Sequence, residues 1–117
     1  MNANIKERSF EFAVRIVKLC RELEKNSSTT RTLLKQLVRS GTSIGANIEE
    51  ANGSQSKADF TAKMYIACQE ARETHYWLRL FATTEIINPY RLESLLDESN
   101  QLVAILTAIV KKAKPSK

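Results

Sequence analysis

The 117-residue sequence has only three glycines, two prolines, two cysteines, one histidine and one tryptophan, and no apolar run long enough to span a bilayer. Each scarcity excludes something. So few backbone breakers suit long uninterrupted helices, and no strand pattern is found. Cys20 and Cys68 lack metal-type spacing, which excludes a disulfide framework and reads as free thiols in a reducing cytoplasm. The stretch from Met1 to Arg8 is polar with no apolar run behind it, so no export or insertion signal is visible. A cytoplasmic location with no membrane partner is the expectation.

What is present fits one globular unit. Apolar residues make up 43% and charged residues 26%, and a chain of this length buries a continuous core without staples. A single domain over residues 1–117 is expected. Net charge is +5, unevenly spread. Residues 1–39 carry nine Lys or Arg against four acids, residues 40–110 carry five against nine, and the end after Val110 holds four lysines and no acid. A basic surface of this kind suits a polyanion, in a cytoplasmic protein usually nucleic acid; a merely solvated surface is the alternative.

Four segments repeat apolar residues at alternating three- and four-residue spacing, and they predict helices over about 9–25, 30–52, 57–83 and 89–112. In the first, Ala13, Ile16, Cys20 and Leu23 form the stripe, widened by Phe12 and Val17. In the second it is Leu34, Leu37, Gly41, Ile44, Ile48 and Ala51, with capping hydroxyls among Ser27, Ser28 and Thr29 and Gly53 as the C-cap. The third, opened by Ser56, runs through Phe60, Met64, Ala67, Ala71, Thr74, Leu78 and Phe81. The fourth starts at Asn88-Pro89, carries Leu92, Leu95, Ser99, Leu102, Leu106 and Ile109, and is stopped by Pro115. Short connections force neighbours antiparallel, so the fold class is all-α, an up-down-up-down four-helix bundle.

The two middle helices each bear a second stripe. On helix 2 it is Ser40, Ser43, Asn47, Glu50 and Ser54; on helix 3 it is Ile66, Glu70, Glu73, Trp77 and Leu80, with Tyr76 adjoining. A helix needs one buried face, so the second stripes, Asn47, Glu50, Ile66, Glu70, Glu73, Trp77 and Leu80 among them, are expected at a further helix contact or a subunit interface. The small residues Ser40, Gly41, Ser43, Gly45 and Ala46 suit close helix packing, with a ligand-binding notch as the alternative.

Enzyme chemistry finds little footing. A di-iron bundle needs Glu-x-x-His pairs, whereas the one histidine, His75, follows Glu73 by two positions. Two scattered cysteines and one histidine make no zinc site, and Gly41 and Gly45 are not followed by the lysine of a phosphate loop. Cys20 falls on a core stripe, and Cys68 is two turns from His75. No catalytic residue, metal or cofactor is expected. Basic rows are the better signal. Arg31, Lys35 and Arg39 recur every fourth residue, and Arg8, Arg15, Lys18 and Lys25 cluster on helix 1, as phosphate contacts do. The competing reading is a solvated face with the intrahelical pairs Glu11–Arg15 and Lys18–Glu22.

The stretch from Gln36 to Ala51 (QLVRSGTSIGANIEEA), followed by Asp59-Phe60 and by Glu70 to Leu78 (EARETHYWL), together with Ser9-Phe10-Glu11-Phe12-Ala13, resembles the four-helix bundle family named for proteins encoded in intervening sequences of 23S ribosomal RNA genes. The resemblance spans essentially the whole chain. It implies a bacterial, cytoplasmic protein and assembly as a homopentamer. A related branch, the accessory variability proteins of diversity-generating retroelements, implies binding of RNA or DNA and of a reverse transcriptase or other protein partner. Two functions follow as expectations: an oligomeric nucleic-acid-binding protein using Arg15, Lys18, Arg31, Lys35 and Arg39, or a protein-interaction scaffold whose basic faces only solubilise it.

Overall fold

A computed structural model describes residues 2–23 and 27–113. It contains four helices, α1 (Asn2–Glu22), α2 (Ser28–Asn52), α3 (Lys57–Thr84) and α4 (Pro89–Ala113), and no strand among the described residues. Each packs against its sequence neighbour in the up-down-up-down order, and the bundle measures 47 × 22 × 21 Å. The expected Lys25 and Asn26 at the first connection, and Pro115 with Lys114 and Lys117, lie outside the described residues.

The caps follow the side-chain chemistry. Ser27 accepts from the Thr30 N–H at 3.2 Å, Ser56 accepts from the Asp59 N–H at 3.0 Å, and Asn88 accepts from the Tyr90 N–H at 2.9 Å, ahead of Pro89 in the first turn of α4. Gly53 caps α2 with φ −96°, a conformation open to any residue. The left-handed position falls instead on Glu85, which ends α3 at φ 59°, ψ 22°. There the backbone turns without a glycine, at a steric cost of about 1–2 kcal/mol.

Helix α1 begins seven residues before the sequence expectation. Its first turns are polar, yet Ile5 and Ser9 continue the core row Phe12, Ile16, Leu19 and Cys20, and all six are buried. Burying Ser9 is permitted because its hydroxyl donates to the Lys6 carbonyl at 3.0 Å. Val17, expected to widen the stripe, is 38% exposed. The stripes of α2 and α3 are as expected, except that Phe60 is half-buried; on α4, Val110 takes the buried place expected of Ile109.

The small residues of α2 divide by direction. A Cβ on Gly41 would lie 3.0 and 3.1 Å from the Ile16 branches, and one on Gly45 would lie 3.3 Å from the Ser9 hydroxyl and 3.4 Å from its carbonyl oxygen. These two glycines admit α1. Ser40 faces α3, where its hydroxyl is 2.9 Å from that of Thr74, which also bonds the Glu70 carbonyl at 2.7 Å. Ala46 is exposed. The polar pair sits among fully buried apolar side chains and favours one register of α2 on α3, since a slip would strand both hydroxyls.

Helix α1 touches α4 far less than it touches α2. Polar bonds hold that seam: Arg8 grips Glu98 at 2.7 and 2.9 Å and Gln101 at 2.9 Å, Arg15 donates to Ser94 at 2.7 Å, and Arg91 meets Glu22 at 2.5 Å. The pairs expected within α1 therefore give way to bonds between helices.

Replacing Gly41 by Ala regains about 1 kcal/mol of helix propensity but overpacks buried Ile16 at about 1–3 kcal/mol, so a net loss near 1 kcal/mol is expected. Gly45→Ala asks for shifts of only tenths of an ångström and should stay within about 0.5 kcal/mol of the native protein. Urea unfolding checks the order; a more stable Gly41→Ala protein contradicts the close packing. At the end of α3, Glu85→Gly should raise stability by about 0.5–1 kcal/mol, because relief of the left-handed strain exceeds the added unfolded-state entropy.

Candidate nucleic-acid interface

Toward the connection of α1 and α2, a groove of about 450 Å³ is lined by both helices. Val17 and Cys20 of α1 and Leu34 and Val38 of α2 give it an almost wholly apolar floor, and Arg21, Arg31, Lys35 and Arg39 stand on its rim. The antiparallel pairing of α1 with α2 creates this arrangement. It brings the last turns of one basic helix beside the first turns of another, so two rows separate in sequence face each other across a few side chains.

The rim cations are not equivalent. Arg39 reaches across to α3, where its guanidinium meets Glu70 at 3.2 Å and also pairs with Glu73. Glu73 in turn accepts from the Trp77 indole N–H at 3.1 Å. The expected member of the row is thus held by two carboxylates of the neighbouring helix. Arg15 faces the α4 seam through Ser94. Lys18, Arg21 and Lys35 are exposed and have no carboxylate partner among the described residues. Arg21 is absent from the set expected from sequence, although its spacing of three from Lys18 and four from Val17 carries the signal. Arg31 shares the rim with Arg21 and Lys35.

The residues expected at a second contact surface occupy the outer sides of α2 and α3. Glu50 pairs with Lys63 at 2.6 Å, joining the two helices near their connection, while the Asn47 amide donates to the Ser43 carbonyl of its own helix at 2.8 Å. Ile66 is 36% exposed, and Glu70, Glu73, Trp77 and Leu80 are half-buried. Trp77 packs at the margin of the core and meets Tyr76 edge-on at 5.2 Å. Within one chain this strip is only half covered.

The groups with catalytic potential are dispersed. Burial pushes the Cys20 thiol up to about 11, which keeps it protonated at neutral pH. Cys68 is buried beside the Thr107 hydroxyl at 3.4 Å. His75 lies between α3 and α4 with Nδ1 2.8 Å from the Ser99 hydroxyl, and that hydroxyl donates to the Leu96 carbonyl at 3.0 Å. The neutral ring with a proton on Nδ1 completes this chain of bonds. Desolvation first, and Arg79 second, lower its pKa from the ordinary histidine value of 6.5. Among the described residues no cluster of His, Cys, Asp or Glu is arranged to hold a metal, and no helix is long and apolar enough to cross a membrane.

Similarity to known proteins bears on fold and family. The family described as 23S rRNA-intervening sequence protein matches residues 1–108. A crystal structure of a protein with unknown function from the S23 ribosomal protein family of Bacteroides thetaiotaomicron is similar, with a TM-score of 0.83 and 46% sequence identity over 92% of this chain and 98% of that one. Among curated proteins none matches.

The lowered His75 pKa sets a pH dependence. The unfolded chain takes up the imidazole proton near pH 6.5 while the folded protein resists it, so stability is full above that value and falls as the pH drops toward the folded pKa. Thermal melts between about pH 7 and pH 5 should show this decline, and His75→Asn, which keeps a donor for Ser99, should flatten it. A decline of equal size in the variant would assign the effect to other groups.

Proposed function

The chain belongs to the 23S rRNA-intervening sequence protein family, and from that premise we propose that it is a non-enzymatic, homo-oligomeric nucleic-acid-binding protein whose contact surface is the groove between α1 and α2. The observation that carries the reading is the juxtaposition of an apolar floor with exposed cations on its rim, of which Arg21 and Lys35 lack carboxylate partners among the described residues, with exposed Lys18 one turn from Arg21 on the same helix. Phosphates are met by Lys18, Arg21, Arg31 and Lys35, and apolar edges of sugars or bases rest on Val17, Leu34 and Val38. Arg15 lies at the margin through its bond to Ser94, and Arg39 lies outside the set because two carboxylates stand beside it.

No aromatic ring lines the groove, so stacking contributes nothing there and selection among sequences is weak. Affinity then comes from counterion release and from repetition, since each copy in an oligomer presents the same groove to one strand. The dispersed Cys20, Cys68 and His75 support a binding rather than a catalytic role.

Titration of a mixed-sequence single-stranded oligonucleotide at several salt concentrations tests the proposal. Removing one cation that touches phosphate lowers the slope of log affinity against log salt by roughly 0.7 to 0.9, so replacing Lys18, Arg21 and Lys35 together by Gln should flatten it by about two to three units. All three side chains are exposed, and the fold is expected to survive. An unchanged slope moves the site elsewhere. Absence of binding by the native protein at about 50 mM salt leaves the protein-interaction scaffold as the function.

A further inference from the structure

The outward side of α3 carries a row of its own. Tyr65, Gln69, Arg72, Tyr76, Arg79 and Thr83 follow one another at alternating four- and three-residue spacing, which sets them along one face of the helix. All six are exposed, the two rings at 48% and 49%. Two tyrosines thus alternate with two arginines, and no acid belongs to the row.

The side chains around the row set its sign. Arg72 donates to the Thr107 hydroxyl of α4 at 3.3 Å. Arg79 stands 5.9 Å over the Tyr76 ring and close enough to His75, at the α4 side, to disfavour its protonation. Neither guanidinium has a carboxylate partner among the described residues. Glu70 and Glu73, the acids beside the row, turn the other way and hold Arg39 of α2. The adjoining row of α4, Glu93, Asn100, Ala104, Thr107 and Lys111, carries one acid and one cation. The two arginines therefore lean to the side of α3 that the carboxylates leave open.

Rings interleaved with guanidiniums fit unpaired bases. A base stacks on a phenol ring or on a guanidinium plane, and the guanidinium N–H groups reach the phosphates between bases. Tyr76 and Arg79 offer both kinds of platform at one point, and Tyr65 lies eleven residues away on the same row, about 16 Å along the helix. The groove between α1 and α2 has no ring, and α1 makes no contact with α3, so groove and row lie on different sides of the bundle. We propose that this row of α3 is a second nucleic-acid contact, a platform where bases of a single strand stack on Tyr65 and on Tyr76 with Arg79. The inference rests on the reading that the chain binds nucleic acid, and it adds a contact made to bases where the groove holds phosphates. A duplex keeps its bases stacked on one another and makes no use of the row.

Titrations with a mixed-sequence single strand, an abasic strand of equal length and a duplex test it. Tyr65→Ala and Tyr76→Ala should each weaken single-strand binding by roughly 5- to 150-fold, the range of one lost base–ring stack. The slope of log affinity against log salt should stay as it is, because neither ring is charged. The corresponding Phe variants keep the ring and should bind as the native protein does. Duplex affinity should not change in any of the four, and the Ala variants should lose most of the native preference for the base-bearing strand over the abasic one. Both tyrosines are exposed, and helical circular dichroism checks that each variant folds. Folded Ala variants that bind like the native protein, or an abasic strand bound by the native protein as tightly as the base-bearing one, overturn the platform and leave the groove standing. Weakened Ala variants beside an unchanged salt slope on replacing Lys18, Arg21 and Lys35 by Gln support the platform and overturn the groove. Absence of binding by the native protein at about 50 mM salt overturns both.

Discussion

The bundle depends on how closely α1 can lie on α2. Gly41 and Gly45 remove the Cβ atoms that would otherwise hold Ile16 and Ser9 away, and mid-helix glycine is tolerated at about 1 kcal/mol apiece because the approach it permits buries a whole helix face. Other features follow from this seat. An α1 drawn onto α2 meets α4 sparsely, and its reach across that seam is made by the long side chains of Arg8, Arg15 and Glu22 rather than by packed methyl groups. Beyond Gly41, α2 carries Leu34 and Val38 instead, and these side chains with Val17 and Cys20 of α1 line the groove.

The interior polar groups are few and each is satisfied. Ser40 and Thr74 bond across α2 and α3, Ser99 bonds His75 across α3 and α4, and no buried side-chain nitrogen or oxygen lacks a partner among the described residues. Leaving one such group unpaired costs about 1–3 kcal/mol, comparable to deleting a buried methyl group or more. These bonds therefore discriminate between registers that the leucine rows alone would accept. The nearly uniform apolar layers around them, Leu37, Leu78, Leu92, Leu102 and Leu106, supply stability without that selectivity.

Legibility in the sequence followed the number of apolar signals per turn. Helices α2, α3 and α4 repeat Leu, Ile, Ala or Phe often enough that their buried faces, and the caps at Ser27, Ser56 and Pro89, are readable from spacing. The first turns of α1 were not, because among the described side chains Ile5 is their only large buried residue and the next core position is Ser9, a residue type that favours surfaces and caps. Val17 and Leu19 show the limit of a stripe drawn on an ideal wheel: each lies at its edge, and the seat of α1 on α2 determines which one is covered. Arg39 shows a different limit. Its fourfold spacing with Arg31 and Lys35 is a property of α2, whereas its partners belong to α3, more than thirty residues on, and periodicity within one helix carries no information about them.

That difference between equally spaced cations bears on where an anion can sit. An exposed ion pair contributes only about 0.2–1 kcal/mol, so Arg39 is not locked to Glu70 and Glu73 by energy alone. What bars it from a phosphate site is the field of the two carboxylates, which a phosphate approaching the guanidinium must also approach. Screening does little over such short separations, since the Debye length at physiological salt is about 8 Å. Lys35, one turn earlier on the same helix, has no such neighbours among the described residues, and Arg21 stands across the groove from it. A potential favourable to an anion therefore rises from the α3 side of α2 toward α1. Under the proposed function, the border of the phosphate-binding surface falls between Lys35 and Arg39, because Glu70 and Glu73 stand beside Arg39 and not beside Lys35.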